Sequence, residues 1–129
     1  LLIVDFVNGF IDPEMFGGGN ILEAAEKTKT VVETFRLNHA PIAYTRIVYS
    51  EDGSDHGVWC EKAPRLKELT ENAFASQVVD FLAPQTGDFI VRKTQASAFF
   101  ETGLSSFLRR HGVDTVALVG ATTSLYLYL

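Results

Sequence analysis

Cysteine is nearly absent: Cys60 is the one thiol among 129 residues, so no internal disulfide can form, and such a chain fits a reducing compartment. Basic runs are missing too. The 11 Lys and Arg never run longer than two in a row against 16 Asp and Glu, for a net charge of −5, which argues against a nucleic-acid partner. No apolar stretch approaches the roughly 20 residues that span a bilayer, and no basic segment leads into a signal-like core. The expectation is a cytoplasmic protein with neither membrane nor nucleic-acid partners. There is no internal repeat, low-complexity tract or interdomain linker, and 47% hydrophobic residues suffice to bury a core, so residues 1–129 read as one domain. The chain begins without Met on a strand-like run and stops inside an apolar segment at Leu129, which predicts a domain truncated at both ends.

What is present is a set of apolar runs that end on ionisable or small residues. Leu1 to Val4 closes on Asp5, Phe89 to Arg92 closes on Lys93, and Val116 to Val119 leads into Gly120-Ala121-Thr122-Thr123-Ser124. In an open α/β sheet the chemistry gathers beyond the carboxyl ends of the strands, so an acid, a lysine and a turn rich in backbone N–H groups at three such ends predict one crevice. Asn20 predicts an N-cap with Glu23 three residues on, and Ile21, Ala24, Ala25, Thr28, Val31, Val32 and Phe35 recur with helical spacing up to about Asn38. Pro41 to Val48 predicts a second strand, followed by a polar loop to Lys62. Short helices are expected at about Phe74 to Leu82 and Gly103 to His111, the latter ended by Gly112, before a last strand from Thr115 to Val119. Alternating strands and amphipathic segments define an α/β fold, a three-layer α/β/α Rossmann-like arrangement around a parallel sheet in the order 3-2-1-4.

Taken singly, each candidate has an ordinary reading. Asp5 could cap a turn, and Lys93 could lay its stem over apolar surface; only as a pair do they imply chemistry. Arg46, at the end of the second strand, could anchor a substrate carboxylate through bidentate hydrogen bonds or equally form a surface ion pair. Phe10 and Trp59 could wall an apolar pocket or serve as core and rim. Cys60, near His56 and Glu61, reads as an incidental thiol remote from the turn. Asp52, Asp55 and His56 read as a solvated loop without a second His at ligand spacing, so no metal is expected.

Several segments in order carry a family likeness. They are Leu-Ile-Val-Asp5-Phe-Val-Asn8-Gly-Phe10; Val91-Arg92-Lys93-Thr94 with Ser97-Ala98-Phe99-Phe100; Gly112-Val113-Asp114-Thr115; and Gly120-Ala121-Thr122-Thr123-Ser124. Together they resemble the isochorismatase-like cysteine hydrolases. Phe16-Gly17-Gly18-Gly19-Asn20 and Arg46-Ile47-Val48-Tyr49 resemble the N-carbamoylsarcosine and maleamate amidohydrolase branch. The resemblance implies a cofactor-free, homo-oligomeric hydrolase of small amides or ureido compounds. It assigns Asp5 as the base that takes a thiol proton, Lys93 as the group that stabilises the ionised acid or the intermediate, and the Ala121-Thr122 peptide as a cis bond beside an oxyanion hole.

The third member of that triad does not match. The family motif Gly-x-Thr-Thr-Ser-Gly-Cys places its Gly at Leu125 and its Cys at Tyr126. A phenol ionises near pH 10 and is far bulkier than a thiol, so thiolate attack is lost with Tyr126. Three readings stand: Leu125 to Leu129 is not the natural sequence, the site binds without hydrolysing, or the chemistry is that of a cysteine-free vinyl ether hydrolase. The bulk of Tyr126 speaks against the last.

Overall fold

A computed structural model describes residues 1–122. Four parallel strands, β1 (Leu2–Val4), β2 (Ala43–Ile47), β3 (Phe89–Lys93) and β4 (Leu118–Gly120), form one sheet in the order β3-β2-β1-β4. Their short, apolar, β-branched runs are what a sheet covered on both faces requires. Leu2, Val4, Ala43, Ile47 and Val91 pack on one face with Leu104 and Phe107 of α4 (Leu104–Arg110). Ile3 and Tyr44 pack on the other with Ala25 and Val32 of α2 (Ile21–Leu37). The result is the three-layer α/β/α arrangement. Between these elements lie two short helices, α1 (Asn8–Ile11) and α3 (Val58–Lys62). Among the described residues no helix is long and apolar enough to cross a membrane.

Four local expectations are corrected. Asn20 precedes α2 without a side-chain cap, and Glu23 pairs with Lys27 one turn on, at 2.5 Å on the exposed face, instead of closing a capping box. The expected polar loop after β2 contains α3, whose Cys60 is fully buried. The expected helix from Phe74 to Leu82 is two 3₁₀ turns, Phe74–Ser76 and Asp80–Leu82. Between those turns Val78 forms an antiparallel bridge with Val7, flanked by hydrogen bonds from Asn8 N–H to the Gln77 carbonyl (2.9 Å) and from Val79 N–H to the Phe6 carbonyl (3.0 Å). Tertiary pairing has overridden local helical spacing. Finally, β4 starts at Leu118, because its ladder with β1 starts at Leu2↔Leu118.

Candidate active site

The site begins where β1 ends. Side chains alternate across a strand, so after Val4 the next residue should point to the face occupied by Ile3. Asp5 instead takes φ = 54°, a left-handed conformation that Asp tolerates better than most residues. That turn directs its carboxylate to the opposite face, where Thr45 alternates with Ala43 and Ile47, and Lys93 with Val91.

There the geometry is tight. Asp5 Oδ2 lies 2.9 Å from Lys93 Nζ, and both side chains are sealed from solvent. The Thr45 hydroxyl donates to Asp5 Oδ1 at 2.5 Å and accepts the Asp5 backbone N–H at 3.2 Å. Lys93 also donates to the Ala96 carbonyl at 2.7 Å. Burial pushes the Asp5 carboxyl above the ordinary carboxylate range, and the Lys93 ammonium and the Thr45 hydroxyl only partly offset it. A carboxylate so placed is a stronger base than one in water, which suits proton abstraction.

The turn after β4 is tied to the same strand end. Val4 and Gly120 are in register, and Ala121 N–H donates to the Val4 carbonyl at 3.0 Å. Gly120 has φ = 151°, and a Cβ there would stand 2.3 Å from the Val4 carbonyl oxygen, so only glycine admits this approach of β4 to β1. The Ala121-Thr122 peptide is cis, with Ala121 buried and Thr122 half-buried. Leu125 and Tyr126 lie outside the described residues.

Arg46 is the residue expected to anchor a substrate carboxylate. Its guanidinium is buried and committed to the protein: Nε donates to the Ser76 carbonyl (2.6 Å), one terminal nitrogen to Ser76 Oγ and the Glu71 carbonyl (both 3.0 Å), and the other to Glu71 Oε1 (3.3 Å). Glu71 also holds Arg92. Arg46 therefore fastens the segment from Glu71 to Ser76 over the end of the sheet. Phe10, expected as a pocket wall, lies in the core at 3% exposure, tilted against Phe16.

Trp59, half-buried on α3, does line an open cavity of about 280 Å³, with Val58, Lys62, Gln95 and Ala96. Ala96 is the residue whose carbonyl holds Lys93, so this cavity adjoins the ion pair. Asp52 and Asp55 accept hydrogen bonds from Ser54 and Ser50 within their own loop, and His56 packs edge-on against Tyr49. Among the described residues no three His, Cys, Asp or Glu side chains gather as a metal site would require. Sequence reasoning missed Thr45 and the Ala96 carbonyl. A backbone acceptor leaves no mark in residue type, but a buried threonine in the apolar β2 run was a usable signal.

These features, a parallel sheet with an Asp–Lys pair at its carboxyl edge and a cis peptide closing β4, define a class of α/β protein. A family model, the isochorismatase domain, matches residues 1–125, and the chain belongs to the isochorismatase family. It is 35% identical over 127 residues to maleamate amidohydrolase of Pseudomonas putida, which covers 96% of this chain and 59% of that protein. Against N-carbamoylsarcosine amidase of Arthrobacter sp. the identity is 29% over 127 residues, covering 94% and 48%. A solved cysteine hydrolase from Pseudomonas syringae pv. phaseolicola superimposes with a TM-score of 0.91 at 27% identity, covering 97% of this chain and 60% of that one. The chain thus spans about half to three-fifths of the length of these relatives.

Proposed function

We propose that this domain belongs to an amidohydrolase that cleaves the C–N bond of a small carboxylate-bearing amide or ureido compound, of the N-carbamoylsarcosine or maleamate type, without a cofactor. The observation that carries the reading is the sealed Asp5–Lys93 pair beside the Ala121-Thr122 turn. With cysteine at position 126, Asp5 takes the thiol proton and the thiolate attacks the amide carbonyl. Backbone N–H groups of the turn hold the oxyanion, and protonated Asp5 returns its proton to the departing amine. Water then cleaves the thioester, with Asp5 again the base. Trp59 and Lys62 supply an apolar wall and a cation in the adjoining cavity, which suits a small anionic substrate now that Arg46 is otherwise engaged. The scarcity of cysteine supports a cytoplasmic location, and the family likeness supports a homo-oligomer.

Tyr126 favours a second reading, a homologue that binds without turning over, because the chain as written holds no nucleophile at the family's position. The test is turnover of N-carbamoylsarcosine and maleamate by the full-length protein, with Tyr126 and with Tyr126→Cys. Hydrolysis only by the Tyr126→Cys form, or by that form with Leu125→Gly added, supports the amidohydrolase; no hydrolysis by any of the three overturns it.

A further inference from the structure

We propose that Thr45 is the positioning residue of this site: its hydroxyl fixes the Asp5 carboxylate at the end of β1 and stabilises its ionised form. The proposal rests on the amidohydrolase reading for its catalytic meaning, but its geometry stands independently.

Thr45 sits in the middle of β2, 1% exposed, paired to Val4 on one side and Val91 on the other. A β-branched side chain on a doubly paired strand has little rotamer freedom, so its hydroxyl is fixed relative to the end of β1. That hydroxyl has one hydrogen to give. It accepts the Asp5 N–H at 3.2 Å, which directs its own hydrogen to Asp5 Oδ1 at 2.5 Å. Oδ1 is thus held by a donor fixed to β2, which orients the carboxylate and favours its charged form over its neutral one.

Oδ2 is different. Its polar neighbour is the Lys93 ammonium at 2.9 Å, and among the described residues no further donor reaches it. In the transfer the S–H bond of the nucleophile breaks, its electron pair stays on sulfur, and the new O–H bond forms on the Asp5 carboxylate. Lys93 then faces a neutral carboxylic acid and is available to the developing oxyanion. Thr45 therefore acts through Asp5 and touches neither substrate nor nucleophile.

The experiment is a pair of titrations. The protonated-carboxyl infrared band of Asp5, assigned by its loss in Asp5→Asn, is followed against pH in the parent, Thr45→Val, Thr45→Ala and Thr45→Ser. The same Thr45 series is then measured by pH–rate profile in the full-length protein carrying Tyr126→Cys. Without its donor the carboxylate is less well held, so the infrared midpoint moves upward in Val and Ala, while Ser keeps the parent's value. The acid limb of kcat moves with it, kcat falls roughly tenfold or more with KM little changed, and Ser restores it. If Thr45→Val does not fold, the Ala and Ser pair makes the same comparison. Parental titration and parental kcat in Val or Ala, or a Ser variant that behaves as Ala does, would overturn the proposal. A shifted infrared midpoint with no turnover in any chain would instead overturn the amidohydrolase reading and leave the positioning role in place.

Discussion

Asp5 and Lys93 stand on strands that are not neighbours: β2 runs between them, and the lysine crosses its end to bring Nζ within 2.9 Å of Asp5 Oδ2. The contact needs a long flexible cation on β3 and a left-handed Asp on β1, and it closes over Thr45. Two charges sealed from water cost more than their attraction returns unless hydrogen bonds complete the site, and here Thr45 and the Ala96 carbonyl do so only in part.

The stability of Asp5→Asn follows from that imbalance. Burial holds the folded carboxyl above its usual 3.8 despite Lys93. A group with a raised folded value contributes its stability in full below the unfolded value and loses it as pH rises through the folded one. At neutral pH relief of the buried carboxylate favours the asparagine variant while the Lys93 ammonium left without its counter-charge opposes it, so the variant should stay close to its parent in stability. The difference should shrink as the solution is acidified and Asp5 becomes neutral. Urea unfolding across that range measures it, and a variant several kcal/mol weaker at neutral pH would contradict the account. In the protein carrying Tyr126→Cys the same substitution should cost about 10²- to 10⁴-fold in kcat, the ordinary contribution of a general base.

Lys93→Met keeps much of the volume and removes the charge that holds the Asp5 carboxyl down. The carboxyl should then titrate higher still, and in the Tyr126→Cys background the acid limb of kcat/KM should move to higher pH. The Ala96 carbonyl loses a donor, at about 1 to 3 kcal/mol. Lys93→Arg should not rescue the profile, because a planar fork does not fit a sealed site shaped for a point charge. An unmoved acid limb in Lys93→Met would separate Lys93 from the base.

Arg46→Met should behave as a folding variant. It strands the Ser76 and Glu71 carbonyls, for a loss of about 2 to 4 kcal/mol in unfolding experiments. KM for a carboxylate substrate should stay close to parental if enough protein folds to be assayed. A rise in KM confined to anionic substrates, with stability unchanged, would return Arg46 to the role the sequence suggested.

The contrast between Arg46 and Asp5 shows what was legible in the residues. Asp5, Lys93 and the Gly120 turn each end an apolar run, so their shared edge was legible from the strand ends alone. Arg46 lies inside β2, one residue before its end, and its partners come from Glu71 and Ser76, a segment whose apolar spacing reads as a helix and whose path is set by pairing with Val7. Long-range pairing of that kind leaves no local pattern. The positive φ of Asp5 was equally hidden, since Asp adopts it only where its surroundings demand it. Thr45 was overlooked for that reason: without the turn at Asp5, strand alternation points the carboxylate away from it.

The last prediction concerns position 126. Tyr126 should give no turnover of N-carbamoylsarcosine or maleamate, because Asp5 and Lys93 supply a base and a cation but no nucleophile, and a phenol that ionises near pH 10 stays protonated at neutral pH. Restoring Leu125→Gly and Tyr126→Cys together in the full-length protein should bring hydrolysis back. The glycine frees the backbone at the turn, and the thiol gains Asp5 as its base. Tyr126→Cys alone should recover less, since Leu125 keeps a side chain where the family motif has none. Asp5→Asn in the restored protein is the control: it should fold, by the stability argument above, and be inactive. Robust turnover by the Tyr126 protein, or by the restored Asp5→Asn protein, would show that the reaction runs through groups other than these.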